Sequence, residues 1–187
     1  TPEQYADLYG FVRGVSRHLN GSEYAGAFGL GLDSGLYGDD PPVRVPDGGQ
    51  VAAVVRAFPG RPDGAVVVHL VDWSGDPQAC TVSLNPNTLF GGRPLDISLV
   101  MPKPYDRDAH RAAFETGEYG ALVQKLRLAR GHVTTCQLPP LRPWAMLVVR
   151  PLPDQSGRWP PRFVSVPDQD TAMVGMASPD PEATIRF

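Results

Sequence analysis

The side chains able to do chemistry are numerous but scattered. Asp72, Asp76, Asp96, Asp106, Asp108, Glu115 and Glu118 could supply the facing carboxylates of an acid–base hydrolase, yet none stands in a motif that gives it a role. Asp72 stands out because it ends an apolar run beside Trp73. Its place before Ser74-Gly75 suits an acid that caps a turn, and that is the reading adopted. Ser74 and Ser98 lie outside any Gly-x-Ser-x-Gly elbow, and His18, His69, His110 and His132 occur singly. His69, within a valine-rich run, reads as a core or edge residue, and His110 as solvated. Cys80 and Cys136 form no CxxC pair and have no histidine at metal-ligand spacing, so no zinc centre is expected. Each lies in strand-like text, which leaves open a disulfide between strands or two buried thiols. Gly29-Leu30-Gly31-Leu32-Asp33-Ser34-Gly35 has the glycines of a phosphate loop. It lacks a preceding strand, a lysine after the glycines and a following helix, so an irregular loop is expected. Asp33, Asp39 and Asp40 do not have EF-hand spacing and read as solvated loop acids. No catalytic residue, metal site or cofactor follows from these patterns.

The elements that must position these residues are β-rich. The 187 residues include 20 Gly and 21 Pro, together about twice the usual share, which disfavours a helical bundle and favours short strands joined by turns. At 42% hydrophobic residues the chain can bury a core, as one domain or one domain plus fragments. With 17 basic against 20 acidic side chains and no long basic run, nucleic acid is not an expected partner. No apolar stretch approaches the ~20 residues of a membrane span, so no membrane partner is expected either.

Residues 1–20 read as an amphipathic helix. Thr1 is the N-cap, Pro2 the first helical residue, Tyr5, Leu8, Val12, Val15 and Leu19 the apolar stripe, widened by Phe11 and Tyr9, and Asn20-Gly21 the stop. That stripe has no obvious partner within an ordinary sandwich. Residues 21–46, rich in Gly and Pro, read as a long connection. Strands are expected at Val51–Phe58, Ala65–Trp73, Cys80–Leu84, Leu95–Met101, Gly131–Leu138 and Pro143–Val149, with turn signals between them. Asp106–Arg130 is ambiguous between inserted helical turns and a strand at Ala121–Leu128. A polar linker from Asp154 leads to β-like text from Phe163 to Phe187. The fold class expected is mainly β: an antiparallel β-sandwich over 47–153, preceded by one amphipathic helix, with a partial second β-module at 154–187.

Two stretches resemble known proteins. Tyr5-Ala6-Asp7-Leu8-Tyr9-Gly10-Phe11-Val12-Arg13 looks like the last barrel helix of bacterial glycoside hydrolases built on a (β/α)₈ barrel. In those enzymes the helix leads to a C-terminal sandwich with a strand like Val66-Val67-Val68-His69-Leu70-Val71-Asp72-Trp73 and a Pro-rich edge and final strand like Leu138–Val148. Thr171–Phe187, ending in Ala183-Thr184-Ile185-Arg186-Phe187, resembles the opening of the small β-domain appended to chitobiases. The first likeness covers roughly residues 1–150 at the level of pattern; the second stops short of the turn that follows in that domain.

The resemblance implies a C-terminal slice of a secreted or periplasmic polysaccharide-degrading enzyme, cut at both ends, whose catalytic barrel would be upstream or a separate chain. The sandwich would then be accessory and mainly brace that barrel, its expected partner. Polysaccharide is the other partner to consider. Amphipathic aromatic rings stack on sugar C–H faces while acids and arginines bond the hydroxyls. Trp73, Tyr105, Asp106, Arg107 and Trp159 are the candidate carbohydrate-binding residues, whereas Trp144 reads as core and Trp159 also suits packing between modules. A self-contained enzyme with its acids in the Asp106–Arg130 insertion is the third reading.

Overall fold

In the computed structural model, residues 3–33, 35–46, 49–58, 64–117, 121–126, 134–141 and 143–152 are described. The first element is a helix, α1 (Glu3–Val15), followed by a 3₁₀ turn (Ser16–His18). Ten strands come next: β1 (Glu23–Gly29), β2 (Leu32–Asp33), β3 (Val43–Arg44), β4 (Val51–Ala57), β5 (Val66–Asp72), β6 (Cys80–Leu84), β7 (Leu95–Met101), β8 (Leu122–Leu126), β9 (Thr134–Leu138) and β10 (Trp144–Pro151). Helices α2 (Pro86–Phe90) and α3 (Arg107–Thr116) interrupt them.

The strands form two antiparallel sheets. The larger runs β2-β1-β4-β5-β10-β7-β8 and the smaller β3-β6-β9. Side chains alternate across a strand, so each face of β5 and β10 collects every second residue. Val66, Val68 and Leu70 of β5 and Ala145, Leu147 and Val149 of β10 join Val82, Leu84, Cys136 and Leu138 of the small sheet in the main core. The intervening residues, Val67 on β5 with Met146 and Val148 on β10, are just as apolar and lie on the other face. There α1 covers them with Phe11 and Val15, beside Phe58 and Val100. The molecule therefore has three layers: helix, large sheet, small sheet.

The structure departs from the sequence reading at three places. The helix stripe does have a partner within the sandwich, namely the second apolar face of the large sheet. Only part of the stripe is used: Phe11 and Val15 are buried, while Val12 is exposed and so is its neighbour Tyr9, at 71%. The segment 21–46 is not a connection. It holds β1, which pairs with β4, and β3, which pairs with β6, so the sandwich begins at Glu23. Its glycines hid the strand. Gly29, at φ +85°, packs so closely that a Cβ there would lie 2.6 Å from the Val51 carbonyl oxygen. Leu30 (φ 53°) and Gly31 (φ 75°) make a tight two-residue turn between β1 and β2, of the left-handed kind that suits strand twist. Residues 29–33 of that glycine-rich run are thus a hairpin tip at the end of a strand.

The loop beyond it is tied down. The Tyr37 hydroxyl donates to the Ala25 carbonyl at 2.6 Å, and the Thr88 hydroxyl to the Asp40 carbonyl at 2.8 Å. Asn85-Pro86-Asn87 ends β6 as expected and also starts α2. The Asn85 side chain accepts from the Asn87 and Thr88 amides, Pro86 occupies the first turn, and Gly91 closes the helix in the left-handed conformation. Leu89 and Phe90 enter the main core. The ambiguous insertion is both things at once, α3 followed by β8. The second β-module at 154–187, with Trp159, and also Glu118 and His132, lie outside the described residues. Among the described residues no helix is long and apolar enough to cross a membrane.

Phe11 is 1% exposed, so Phe11→Ala leaves a cavity between α1 and the sheet. It should lower unfolding free energy by about 3–5 kcal/mol in urea titration, against under about 0.5 kcal/mol for the exposed Tyr9→Ala.

Candidate functional site

Strand register decides which chemistry-bearing residues share a place. Trp144 lies opposite Val71 and Met146 opposite Val100, so β5 and β7 end, and β10 begins, at one margin of the large sheet. Trp73 leaves that margin from β5, and Tyr105, Asp106 and Arg107 leave it from β7, on either side of β10. Trp73 is 70% exposed, its amide held by the Gln50 carbonyl at 2.8 Å. Tyr105 is partly exposed, with its ring centroid 5.7 Å from that of His110. Four of the five sequence candidates thus follow strand ends that share one end of the fold: Trp73 after β5, and Tyr105, the α3 cap Asp106 and the first α3 residue Arg107 after β7.

Several of the acids are committed to structure. Asp72 is buried; its Oδ1 accepts the Ser74 amide at 2.8 Å, and its own amide donates to the Pro143 carbonyl at 2.8 Å. It caps the turn, as its sequence position suggests. Asp106 caps α3 by accepting the Ala109 amide at 2.7 Å. Asp96, on the outer face of β7, binds the Lys125 ammonium at 2.6 Å. Glu115 faces Arg111 one helical turn back, at 3.9 Å on an exposed face. Among the described residues no three His, Cys, Asp or Glu side chains gather as a metal site.

The cysteines occupy neighbouring strands but miss each other by two residues. Cys80 pairs with Leu138 and Cys136 with Val82, and both thiols are free. Burial pushes the Cys136 thiol up to about 11. Burial, with the Asp72 carboxylate second, raises Cys80. Thiolate is the nucleophile, so thiols kept protonated in this way are packing residues.

No model of a known protein family matches this sequence, and no curated protein matches it. The arrangement is therefore judged on its own geometry.

The most organised polar group is built on His69, which reads in the sequence as a core or edge residue. His69 and Trp144 stack with centroids 5.6 Å apart, and the Trp144 Nε1–H donates to His69 Nδ1 at 3.3 Å. Phe11 of α1 meets the Trp144 ring edge-on at 5.0 Å. An accepting Nδ1 places the proton on Nε2, which is buried and has no partner among the described residues. Burial lowers the His69 pKa to about 4, and the nearby Arg56 guanidinium adds to the effect. Nothing in the sequence links position 69 to positions 144 and 11; only the β5–β10 register and the docking of α1 do.

This stack has a pH signature. Between pH 6.5 and 4 the unfolded chain takes up a proton at His69 that the folded chain refuses. The associated stability is full above 6.5 and lost as pH falls towards 4. On His69→Phe, the drop in unfolding free energy between pH 7 and pH 4.5 should shrink by about 2–3 kcal/mol. Equal pH dependence in both proteins would refute this assignment.

Proposed function

We propose that this chain is a non-catalytic accessory β-sandwich that braces a catalytic domain of a glycoside hydrolase acting on polysaccharide. The observation that carries this reading is the two-sided use of α1. Phe11 and Val15 fasten the helix to the large sheet, while Tyr9 and Val12 face outward and are exposed. A helix attached on one side and apolar on the other is suited to join two bodies. The resemblance of Tyr5–Arg13 to a last barrel helix, and of β5 and β10 to accessory-sandwich strands, supplies the kind of body: a (β/α)₈ barrel. The bound character of Asp72, Asp106 and Asp96 favours bracing over hydrolysis within this chain.

A second reading, glycan binding by the sandwich itself, is favoured by Trp73. A tryptophan exposed to 70% at a strand end, on a backbone fixed by the Gln50 carbonyl, offers a flat face for a sugar ring. Tyr105 and Arg107, at the same end, would be its nearest helpers. Secretion or periplasmic export belongs to this proposal and rests on the resemblance alone.

Incubation of the purified chain with a panel of polysaccharides separates these readings, with affinity electrophoresis and reducing-sugar release read from the same samples. Bracing predicts neither retardation nor release. Retardation abolished by Trp73→Ala would establish the binding reading, with an expected loss of about 1–3 kcal/mol per lost stacking ring. Sugar release by the chain alone would overturn both.

A further inference from the structure

The large sheet has two edge strands, and they differ. One, β2, is two residues long. The other, β8, is five residues long and pairs with β7 on one side only among the described strands. An open strand edge presents unpaired N–H and C=O groups that accept another extended backbone. Natural edges are guarded by charge, by brevity or by a covering element. β8 has little of this. Four of its five residues, Leu122–Lys125, are exposed, Leu122 and Val123 are apolar on opposite faces, and the preceding α3 buries none of its residues. Its single charge, Lys125, is held by Asp96 of β7 at 2.6 Å, so the ammonium already has its counter-ion.

We infer that β8 is a self-association edge whose partner is the β8 of a second copy of this chain, paired antiparallel about a two-fold axis at Gln124. The occupant follows from the sequence of the strand read against itself. With Gln124 opposite Gln124 of the second copy, Leu122 falls opposite Leu126 and Val123 opposite Lys125. The inner face receives two Leu–Leu pairs flanking an amide–amide pair. On the outer face each lysine stem lies across a valine, with Asp96 beside it. No like charges meet, and each apolar residue meets an apolar residue or an aliphatic stem. An isologous contact of this kind closes at two copies and leaves no open edge at that margin. Five residues a side bury less than a standard interface, so the dimer should be weak, with a Kd in the micromolar range or above. This inference is independent of the accessory reading.

Sedimentation velocity on the full chain, from about 5 to 500 µM, tests it. Reversible dimerisation is expected. Gln124→Glu sets two carboxylates face to face at the axis and should weaken the dimer at least about tenfold, with circular dichroism and melting unchanged. Gln124→Cys should form an intermolecular disulfide on mild oxidation, where the parent chain forms none. A monomer throughout the range overturns the proposal. So does a dimer that tolerates Gln124→Glu and leaves Gln124→Cys uncrosslinked, because it must use another surface.

Discussion

The architecture depends on one constraint: the central strands β5 and β10 are apolar on both faces. A strand of that kind must be covered twice. The small sheet covers one face through Val82, Leu84, Cys136 and Leu138, and α1 covers the other through Phe11 and Val15. The helix is thus a third layer required by Val67, Met146 and Val148, which would otherwise form an exposed patch at the centre of the sheet. The His69–Trp144 stack is set where that helix meets the sheet. Its polarity is internally matched at Nδ1, and it fixes the Trp144 ring against which Phe11 packs.

Cover declines towards the β8 margin. β5 and β10 are buried almost throughout, β7 remains buried through Val100, and β8 is exposed. α3 lies beyond both cores and attaches through contacts such as that of Arg13 over the Phe114 ring, at 5.9 Å. Phe114 and Val123 remain 66% and 63% exposed. The α3–β8 insertion thus adds a strand and an apolar surface without adding a core, a combination better suited to contact than to stability.

The legible parts of this fold were those with an uninterrupted period. Six expected strands appear, because Val, Leu and Ile repeat there between Gly, Pro and Asn punctuation. What escaped was encoded in residues that serve two purposes. Gly26 and Gly29 sit within β1 because the chain bulges and crosses closely there, and the same glycines erase the strand pattern. Asn85-Pro86 ends a strand and caps a helix with one set of atoms. The insertion held two short elements, each too brief for its own period to emerge. At the candidate site, the sequence put Trp73 at a strand end and Tyr105, Asp106 and Arg107 in one loop, whereas Arg107 opens α3 with Asp106 as its cap. Sequence alone could not show that three-dimensional register brings them to one margin, nor that His69 lies beside Trp144.

The distribution of polar groups weighs on function in the same way. A hydrolytic site needs carboxylates or a nucleophile free to change protonation or bonding partners. Here Asp72 is bound into a turn, Asp106 into a helix cap and Asp96 into an ion pair. His69 is held neutral within a stack, and both thiols are kept protonated by burial. Each of these groups supports architecture. Beside its charged groups the described surface also carries apolar and aromatic ones: Tyr9 and Val12 on α1, Phe114 on α3, Val123 on β8, Trp73 at the end of β5. Side chains of that kind suit contact with another surface, whether a protein domain or a sugar face. On the accessory reading proposed above, those exposed apolar side chains would meet the neighbouring domain, while the bound polar groups hold the sandwich in shape.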